Sequence, residues 1–257
     1  MGGSPVTHAL LRGTESAPPS RQSRPSRPNV VLAHRSTRLE EKIVAVRVDL
    51  NISLDGYATT EGGDAENPMG EDWNKLTKAY VATRTFRERV FHDTSGAGTT
   101  GIDDKYAAAY FDEVGAEIMG AGMFGFHSFP DDPDWKGWWG DEPPFRVPVY
   151  VLTRREHQPI EMVGGTTFHF LSASPEDALA RAKSVAGGKD VRIGGGARTV
   201  REFLKADLVD RLHVAVAPIL LGRGINLWDD LRAFEAGYSV TAEAAETGVT
   251  HLTFSRG

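Results

Sequence analysis

Apolar and polar residues alternate along 42–54. Ile43, Val44, Val46, Val48, Leu50, Ile52 and Leu54 carry the apolar phase, with Asp49 and Asn51 among the alternates. A period of two predicts a strand there, ended by Asp55-Gly56. The Gly-rich polar run 61–70 predicts a loop. Over 71–91 the period lengthens, with Trp73, Leu76, Tyr80, Phe86 and Val90 at helical spacing. After the break GAGTTG (96–101), a second helix is expected over 103–114. Asp103 or Asp104 would cap it, and Tyr106, Ala109, Tyr110 and Val114 would form its apolar face. A short strand, 116–119, then runs into Gly120-Ala121-Gly122 and another helix start.

The second half repeats the alternation. Strands are predicted over 148–152, which ends in Thr153-Arg154-Arg155, and over 166–171. Ser174-Pro175-Glu176-Asp177 joins a capping serine, a proline at the first helical position and first-turn acids. The helix it opens carries Ala178, Leu179, Ala182 and Val185 on one side and stops at Gly187-Gly188. Next comes DVRIGGGAR (190–198): a strand with Val191 and Ile193 apolar and Arg192 between them, three glycines, and a helix opening at Ala197. Val200, Phe203 and Leu204 face inward on that helix. Leu212, Val214 and Val216 form a strand broken by Pro218. Two strands, 238–244 and 249–254, close the chain as a hairpin around 246–248. Strands alternating with helices predict an α/β fold, a mostly parallel sheet flanked by helices with a C-terminal antiparallel hairpin. Ligands of such sheets sit at the carboxyl ends of the strands. Asp55, Gly120, Thr153 and Gly194 all lie just past strand ends, so their loops should meet on one edge.

Two stretches stand outside this pattern. Residues 1–41 contain APPSRQSRPSRP (17–28) and bury too little apolar surface to offset the entropy of ordering. A disordered tail is expected there, followed by one folded domain over 42–257. The stretch FPDDPDWKGWWGDEPP (129–144) holds three of the five tryptophans. It is expected to be either a lid or pocket wall for a planar ligand, or a surface loop pinned by its own aromatics.

Charge and composition narrow the function. The net charge is −6, and the first 41 residues hold six Arg against three Glu, so the remainder carries −9. That argues against a nucleic-acid partner. No apolar run is long enough to span a bilayer, so no membrane partner is expected. Cysteine is absent, which excludes disulfides, thiolate zinc sites and a thiol nucleophile, and fits a reducing cytoplasm. No metal site is expected.

The candidate chemistry lies at the strand ends. Gly194, Gly195 and Gly196 let a ligand approach the backbone closely, and the helix start at Ala197 offers free N–H groups and a positive dipole end. The pair suits a phosphate; a tight turn with no ligand is the alternative. Gly120, Ala121 and Gly122 form a second such junction. Thr153, Arg154 and Arg155 place a hydroxyl and two guanidiniums where a cofactor's ribose 2′-phosphate would be read, which favours NADPH over NADH. Two solvated arginines are the plainer reading.

The strings IVAVRVDLNISLDGYA, AEIMGAGMFG, VYVLTRR and DVRIGGGARTVREFLKADLVDRLHVAVAPILLGRG resemble the dihydrofolate-reductase-like family, in particular the branch related to the reductase domain of riboflavin biosynthesis. The resemblance covers residues 43–257. It implies an NADPH-dependent reductase, often a homodimer, acting on a small-molecule substrate. It further implies that Gly194, Gly195, Gly196, Ala197 and the Gly120–Gly122 turn hold the diphosphate. Thr153, Arg154 and Arg155 would take the adenosine end, and Ser53, Leu54 and Asp55 would lie beside the nicotinamide. The chain departs from the family at the second junction, where Gly-Arg-x-Thr is replaced by Gly120-Ala121-Gly122-Met123. The lost contacts would weaken NADPH binding or shift it onto Arg154, Arg155 or Arg198. Glu71 or Asp72 would occupy the slot of the pteridine-binding carboxylate, or serve as helix N-terminal acids. Without cysteine, the chain is at most the reductase half of a deaminase–reductase.

The expected reaction is hydride transfer to a C=N or C=O carbon, with Asp55 first and Asp72 second as proton donors. Asp55 is alternatively a turn residue. Dihydrofolate and a diaminopyrimidine ribose phosphate compete as substrate; Arg84, Arg87 and Arg89 are candidate phosphate partners, or one exposed helix face. A non-catalytic NADPH-binding sensor or partner-binding protein is the rival reading, and a flavin protein a third.

Overall fold

A computed structural model describes residues 44–59, 70, 72–126 and 134–257. The 1–41 tail, Glu71, most of the 61–70 loop and residues 129–133 of the Trp-rich stretch lie outside the described residues. In chain order the elements are β1 (Val46–Ser53), β2 (Tyr57–Thr59), α1 (Trp73–Leu76), α2 (Lys78–Val81), α3 (Arg84–Val90), α4 (Ile102–Phe111), β3 (Val114–Gly120), α5 (Ala121–Phe124), β4 (Pro148–Leu152), β5 (Ile160–Glu161), β6 (Thr167–Leu171), α6 (Pro175–Val185), β7 (Asp190–Gly195), α7 (Ala197–Lys205), β8 (Arg211–Ala217), β9 (Ile225–Asn226), β10 (Ser239–Ala244) and β11 (Thr250–Ser255).

Nine of the described strands form one sheet, in the order β10-β11-β8-β1-β7-β3-β4-β6-β5. From β8 to β6 every neighbouring pair is parallel. The terminal hairpin β10–β11 adds to β8 antiparallel. This is the α/β architecture the alternation predicts. Helix α6 starts as expected: Ser174 accepts a hydrogen bond from the Asp177 amide, with Pro175 in the first turn.

Four local expectations change. The 71–91 helix is broken into α1, α2 and α3. Thr77 bonds back to the Trp73 carbonyl at 2.8 Å, and Thr83 turns extended (ψ 150°) to cap α3 through the Phe86 amide. Threonines that satisfy the backbone locally end helices. Helix α4 is capped by neither aspartate: Gly101 holds the N-cap, and Asp103 and Asp104 are buried in the first turn with Ala107. Val114 opens β3 instead of closing α4, and Val185 is 45 % exposed at the end of α6.

Both faces of the sheet are covered, as a parallel sheet requires, but by different chemistry. On one face Val46, Val48, Ile52, Ile118, Ile193, Leu212 and Val214 pack against Ala178, Leu179, Val200, Phe203 and Leu204 of α6 and α7. On the other face, the alternate residues of the central strands are charged. Arg47 reaches the carbonyls of Ala109 (2.7 Å) and Asp112 (3.1 Å), so a cation closes the C-terminal end of α4. Glu117 of β3 and Arg192 of β7 are each 1 % exposed and form an ion pair. The Arg192 guanidinium lies 3.3 Å from the centroid of the Tyr110 ring on α4. Burial pushes the Glu117 carboxyl up, and Asp49's charge adds to the rise. Burial pushes Arg192 down to about 9.

Further along this face the Trp-rich stretch takes over the covering. Trp135, Trp139 and Phe145 pack with Phe124 on Met119, Val149, Val151 and Phe168. The indole N–H groups of Trp135 and Trp138 donate to the carbonyls of Phe124 and Met123, both at 2.9 Å. Its described part is therefore a loop pinned by its own aromatics.

Removing one partner of a buried ion pair leaves the other charge uncompensated, at a cost of about 3–5 kcal/mol. Arg192→Met should lose about that much unfolding free energy. The double variant E117M/R192M should recover most of it. Urea unfolding checks both; a single variant within about 1 kcal/mol of wild type would remove the pair as a constraint.

Candidate active site

Strands β1, β7, β3 and β4 are parallel neighbours, so their carboxyl ends stand in a row. Asp55 and Thr153–Arg155 follow those ends, as expected, whereas Gly120 is the last residue of β3 and Gly194 and Gly195 are the last two of β7, so the strands run further and only Ala121–Gly122 and Gly196 lie beyond them. The register makes the row tight: Met119 pairs with Gly195 and Gly120 with Leu152. At about 4.8 Å per strand, the row spans roughly 14 Å from β1 to β4.

The glycines divide into two kinds. A Cβ on Gly194 would meet Glu117 Oε1 at 2.1 Å, and one on Gly120 would meet Thr199 Oγ1 at 2.2 Å. Both are small because protein atoms fill the space. Gly195 has φ +126°, a conformation only glycine adopts readily. A Cβ on Gly196 or Gly122 would meet nothing within 4 Å. These two bound open space, so the cradle faces outward at Gly196 and Gly122. Gly196 is the N-cap of α7 and supplies no side-chain cap, so the helix start at Ala197 presents its N–H to a ligand. The Ala197 side chain is buried in the core and Arg198 is exposed. Helix α5 is a single turn of four residues, so the second junction offers amides with little dipole behind them.

At the end of β4, Thr153 Oγ1 accepts a hydrogen bond from the Arg155 amide at 3.0 Å. This local turn sets Arg154 and Arg155 outward, both exposed. The Arg155 guanidinium lies 5.7 Å from the Phe126 ring centroid.

The expected proton donors are placed differently. Asp55 uses both carboxylate oxygens. Oδ1 accepts from Ser53 Oγ (2.5 Å) and the Leu221 amide (3.1 Å), and Oδ2 from the Gly222 amide (2.7 Å). The Ser53 bond, then the Gly222 and Leu221 amides, hold its pKa below the ordinary 3.8. A carboxylate kept ionised by three donors is a loop anchor and a poor acid, so its geometry is that of the turn residue. Asp72 precedes α1, makes no capping bond and accepts from Lys75 Nζ at 3.1 Å. The three arginines of α3 are also engaged within the protein. Arg87 forks onto Asp93, Arg84 reaches Asp104 at 4.0 Å, and Arg89 lies over Phe111. Of the residues expected beside the nicotinamide, Leu54 is 66 % exposed and Ser53 is buried.

The residues that sequence reasoning passed over sit on the charged sheet face. Asp49, Asn51, Tyr80, Asp103, Tyr106, His213 and His251 line a cavity of about 40 Å³ between the sheet and α1, α2 and α4. The signal available was that Asp49, His213 and His251 occupy alternate positions of strands inside a covered sheet. Among the described residues no group of three His, Cys, Asp or Glu has the placement to hold a metal. No described helix is long and apolar enough to cross a membrane.

The sequence pattern of the RibD C-terminal domain family matches residues 44–246. Among solved structures, a protein assigned to riboflavin biosynthesis from Shewanella sp. PV-4 is 23 % identical, with a TM-score of 0.51 over 83 % of this chain and 99 % of that one. A pyrimidine reductase-like protein from Corynebacterium diphtheriae is 14 % identical, with a TM-score of 0.44 over 84 % of this chain and 93 % of that one. A diaminohydroxyphosphoribosylaminopyrimidine deaminase/5-amino-6-(5-phosphoribosylamino)uracil reductase from Thermotoga maritima is 14 % identical, with a TM-score of 0.47. That likeness covers 83 % of this chain and 57 % of the longer one. The uncharacterized protein YwjB of Bacillus subtilis is 41 % identical over 44 residues, 17 % of this chain and about a quarter (25 %) of that protein.

The anchoring role of Asp55 has a pH signature. A carboxyl whose pKa is lowered on folding stabilises above its unfolded value, 3.8, and the contribution is lost as pH falls through the folded value. Hydrogen exchange should show the Leu221 and Gly222 amides protected at pH 5 and exposed once Asp55 protonates. Asp55→Ala should remove that protection at pH 5 and leave the β1 amides unchanged. Protection that survives the substitution would assign the loop to other contacts.

Proposed function

The chain belongs to the RibD C-terminal domain family, and from that premise we propose that it is an NADPH-dependent reductase. It would transfer a hydride to a C=N or C=O carbon of a small polar, pteridine- or pyrimidine-like substrate. The observation that carries the reading is the row of four strand ends, with open space at the two outward glycines, Gly196 and Gly122.

The residues present suit the cofactor. A diphosphate would fit between the Gly196–Ala197 and Gly122 amides, where a side chain on either glycine would fill the cradle. Beside it, Arg198 and the first turn of α7 add positive charge. Arg154, one strand further, would meet a 2′-phosphate, with Thr153 and Arg155 at the adenosine end. On the other side, Leu54 would offer an apolar surface for the nicotinamide at the end of β1. NADPH supplies the hydride when bound. The chain's part is to hold the diphosphate, orient the ring over the carboxyl edge and provide a proton from a source other than Asp55.

Calorimetric titration with NADPH and NADH tests this. NADPH should bind at least tenfold tighter than NADH. Arg154→Ala should cost NADPH about tenfold, or about 1.4 kcal/mol, and leave NADH affinity unchanged. NADPH oxidation should then be followed with 7,8-dihydrofolate and with 5-amino-6-(5-phosphoribosylamino)uracil. Absence of binding by either nucleotide would overturn the reading.

A further inference from the structure

We propose that Asp49, His213, His251 and Asp103 form the proton donor for this reduction, delivering through Asp49 into the cavity beneath α4. The proposal rests on the reductase reading for its reaction. Its first support, a count of protons, does not.

The four side chains form one line across the sheet from β1 through β8 and β11 to α4. His213 Nδ1 lies 3.1 Å from Asp49 Oδ1, His213 Nε2 lies 3.0 Å from His251 Nδ1, and His251 Nε2 lies 2.9 Å from Asp103 Oδ1. Each of these contacts requires one hydrogen between its heavy atoms. Two neutral imidazoles bring two hydrogens, and ionised carboxylates bring none. Three contacts therefore require a third proton, and the cluster carries one negative charge where two neutral rings would leave two.

The geometry puts the extra proton on the imidazole pair, and in the proposal it is carried by the ring bonded to Asp49, His213. It then donates Nδ1–H to Asp49 and Nε2–H to His251, and neutral His251 donates Nε2–H to Asp103. Burial holds the His251 pKa down against its Asp103 bond, and a charged His213 lowers it further. Burial raises the Asp49 pKa, but the His213 bond and charge outweigh it, so that carboxyl stays low. The Tyr106 ring stacks on both imidazoles, with centroids at 4.4 and 4.1 Å, and offers an electron-rich face to the cation. Other charges face the line from every neighbouring element. Arg47, and Arg192 with its partner Glu117, lie toward Asp49. Glu243, bonded to Lys105 and to the Tyr106 hydroxyl, lies toward His251. The un-ionised phenol of Tyr80 borders the same cavity.

The line has an inner and an outer end. Asp49 borders the cavity, and its Oδ2 is buried with no hydrogen-bond partner among the described residues. The cavity also reaches Asn51 and Ala217, near the carboxyl ends of β1 and β8, toward the proposed nicotinamide position. At the outer end the hydroxyl of exposed Thr247 donates to Asp103 Oδ2 at 2.8 Å.

The step balances. The His213 proton passes to Asp49 and from it, through water in the cavity, to the substrate nitrogen or oxygen. The π bond of C=N or C=O breaks, the carbon gains the hydride, and NADP⁺ is left. The cluster falls from one negative charge to two, and solvent restores its proton by way of Thr247 and Asp103.

Nitrogen-15 NMR of the histidine rings in the full chain tests the count at pH 7.5, with signals assigned by H213Q and H251Q. Two protonated ring nitrogens on His213 and one on His251 are expected; two neutral imidazoles would overturn the proposal. For delivery, Asp49→Asn should lower turnover about 100-fold with NADPH affinity unchanged, in whichever of the two substrates the wild type reduces. Unchanged turnover would overturn it. Failure of NADPH to bind would sink the reductase reading and the delivery step together, while the ring spectra still judge the count.

Discussion

The Glu117–Arg192 pair sits at the centre of a parallel sheet, where neither water nor a flexible partner can relieve it. Much of the architecture follows from keeping those two groups together. Gly194 has no side chain because Glu117 Oε1 stands where its Cβ would be. Helix α4 must lie over β1 and β7, because Tyr110 covers the Arg192 guanidinium. Arg47 then ties the end of that helix to the sheet through main-chain carbonyls. Burying a sheet face made of charges demands fixed partners, and the fixed partners set the position of the helix layer that roofs the cavity.

The opposite face does the ordinary work of holding the domain together. There α6 and α7 bury alanines, leucines and Phe203 against valines and isoleucines. This division explains how the carboxyl edge stays regular. The apolar face positions α7 so that its N-cap, Gly196, opens outward, and the charged face holds β3 and β7 in register. The candidate cofactor cradle lies where the two demands meet.

Fold class, sheet direction and the row of strand ends were legible in the sequence, because alternation, Ser174-Pro175 and the Gly runs are local signals. The break-up of 71–91 was not. Thr77 and Thr83 look like any polar residue of a helix until their hydroxyls are seen bonded to the backbone. Asp55 was read as a possible acid because its position after a strand fits a turn and a site equally; only its three donors separate the roles. Asp49, His213 and His251 were invisible because partners distant in sequence make the line. Their polarity at alternate strand positions reads as a solvated face unless the sheet is known to be covered on both sides.

The proposed dinucleotide site runs along the carboxyl edge from β1 to β4. Amide chemical-shift mapping of the full chain with NADPH tests it most directly. Such a site predicts shifts concentrated at Leu54, Gly122, Thr153, Arg154, Gly196 and Ala197, with little change in the β10–β11 hairpin. Shifts centred on the hairpin, or none at saturating NADPH, would contradict it.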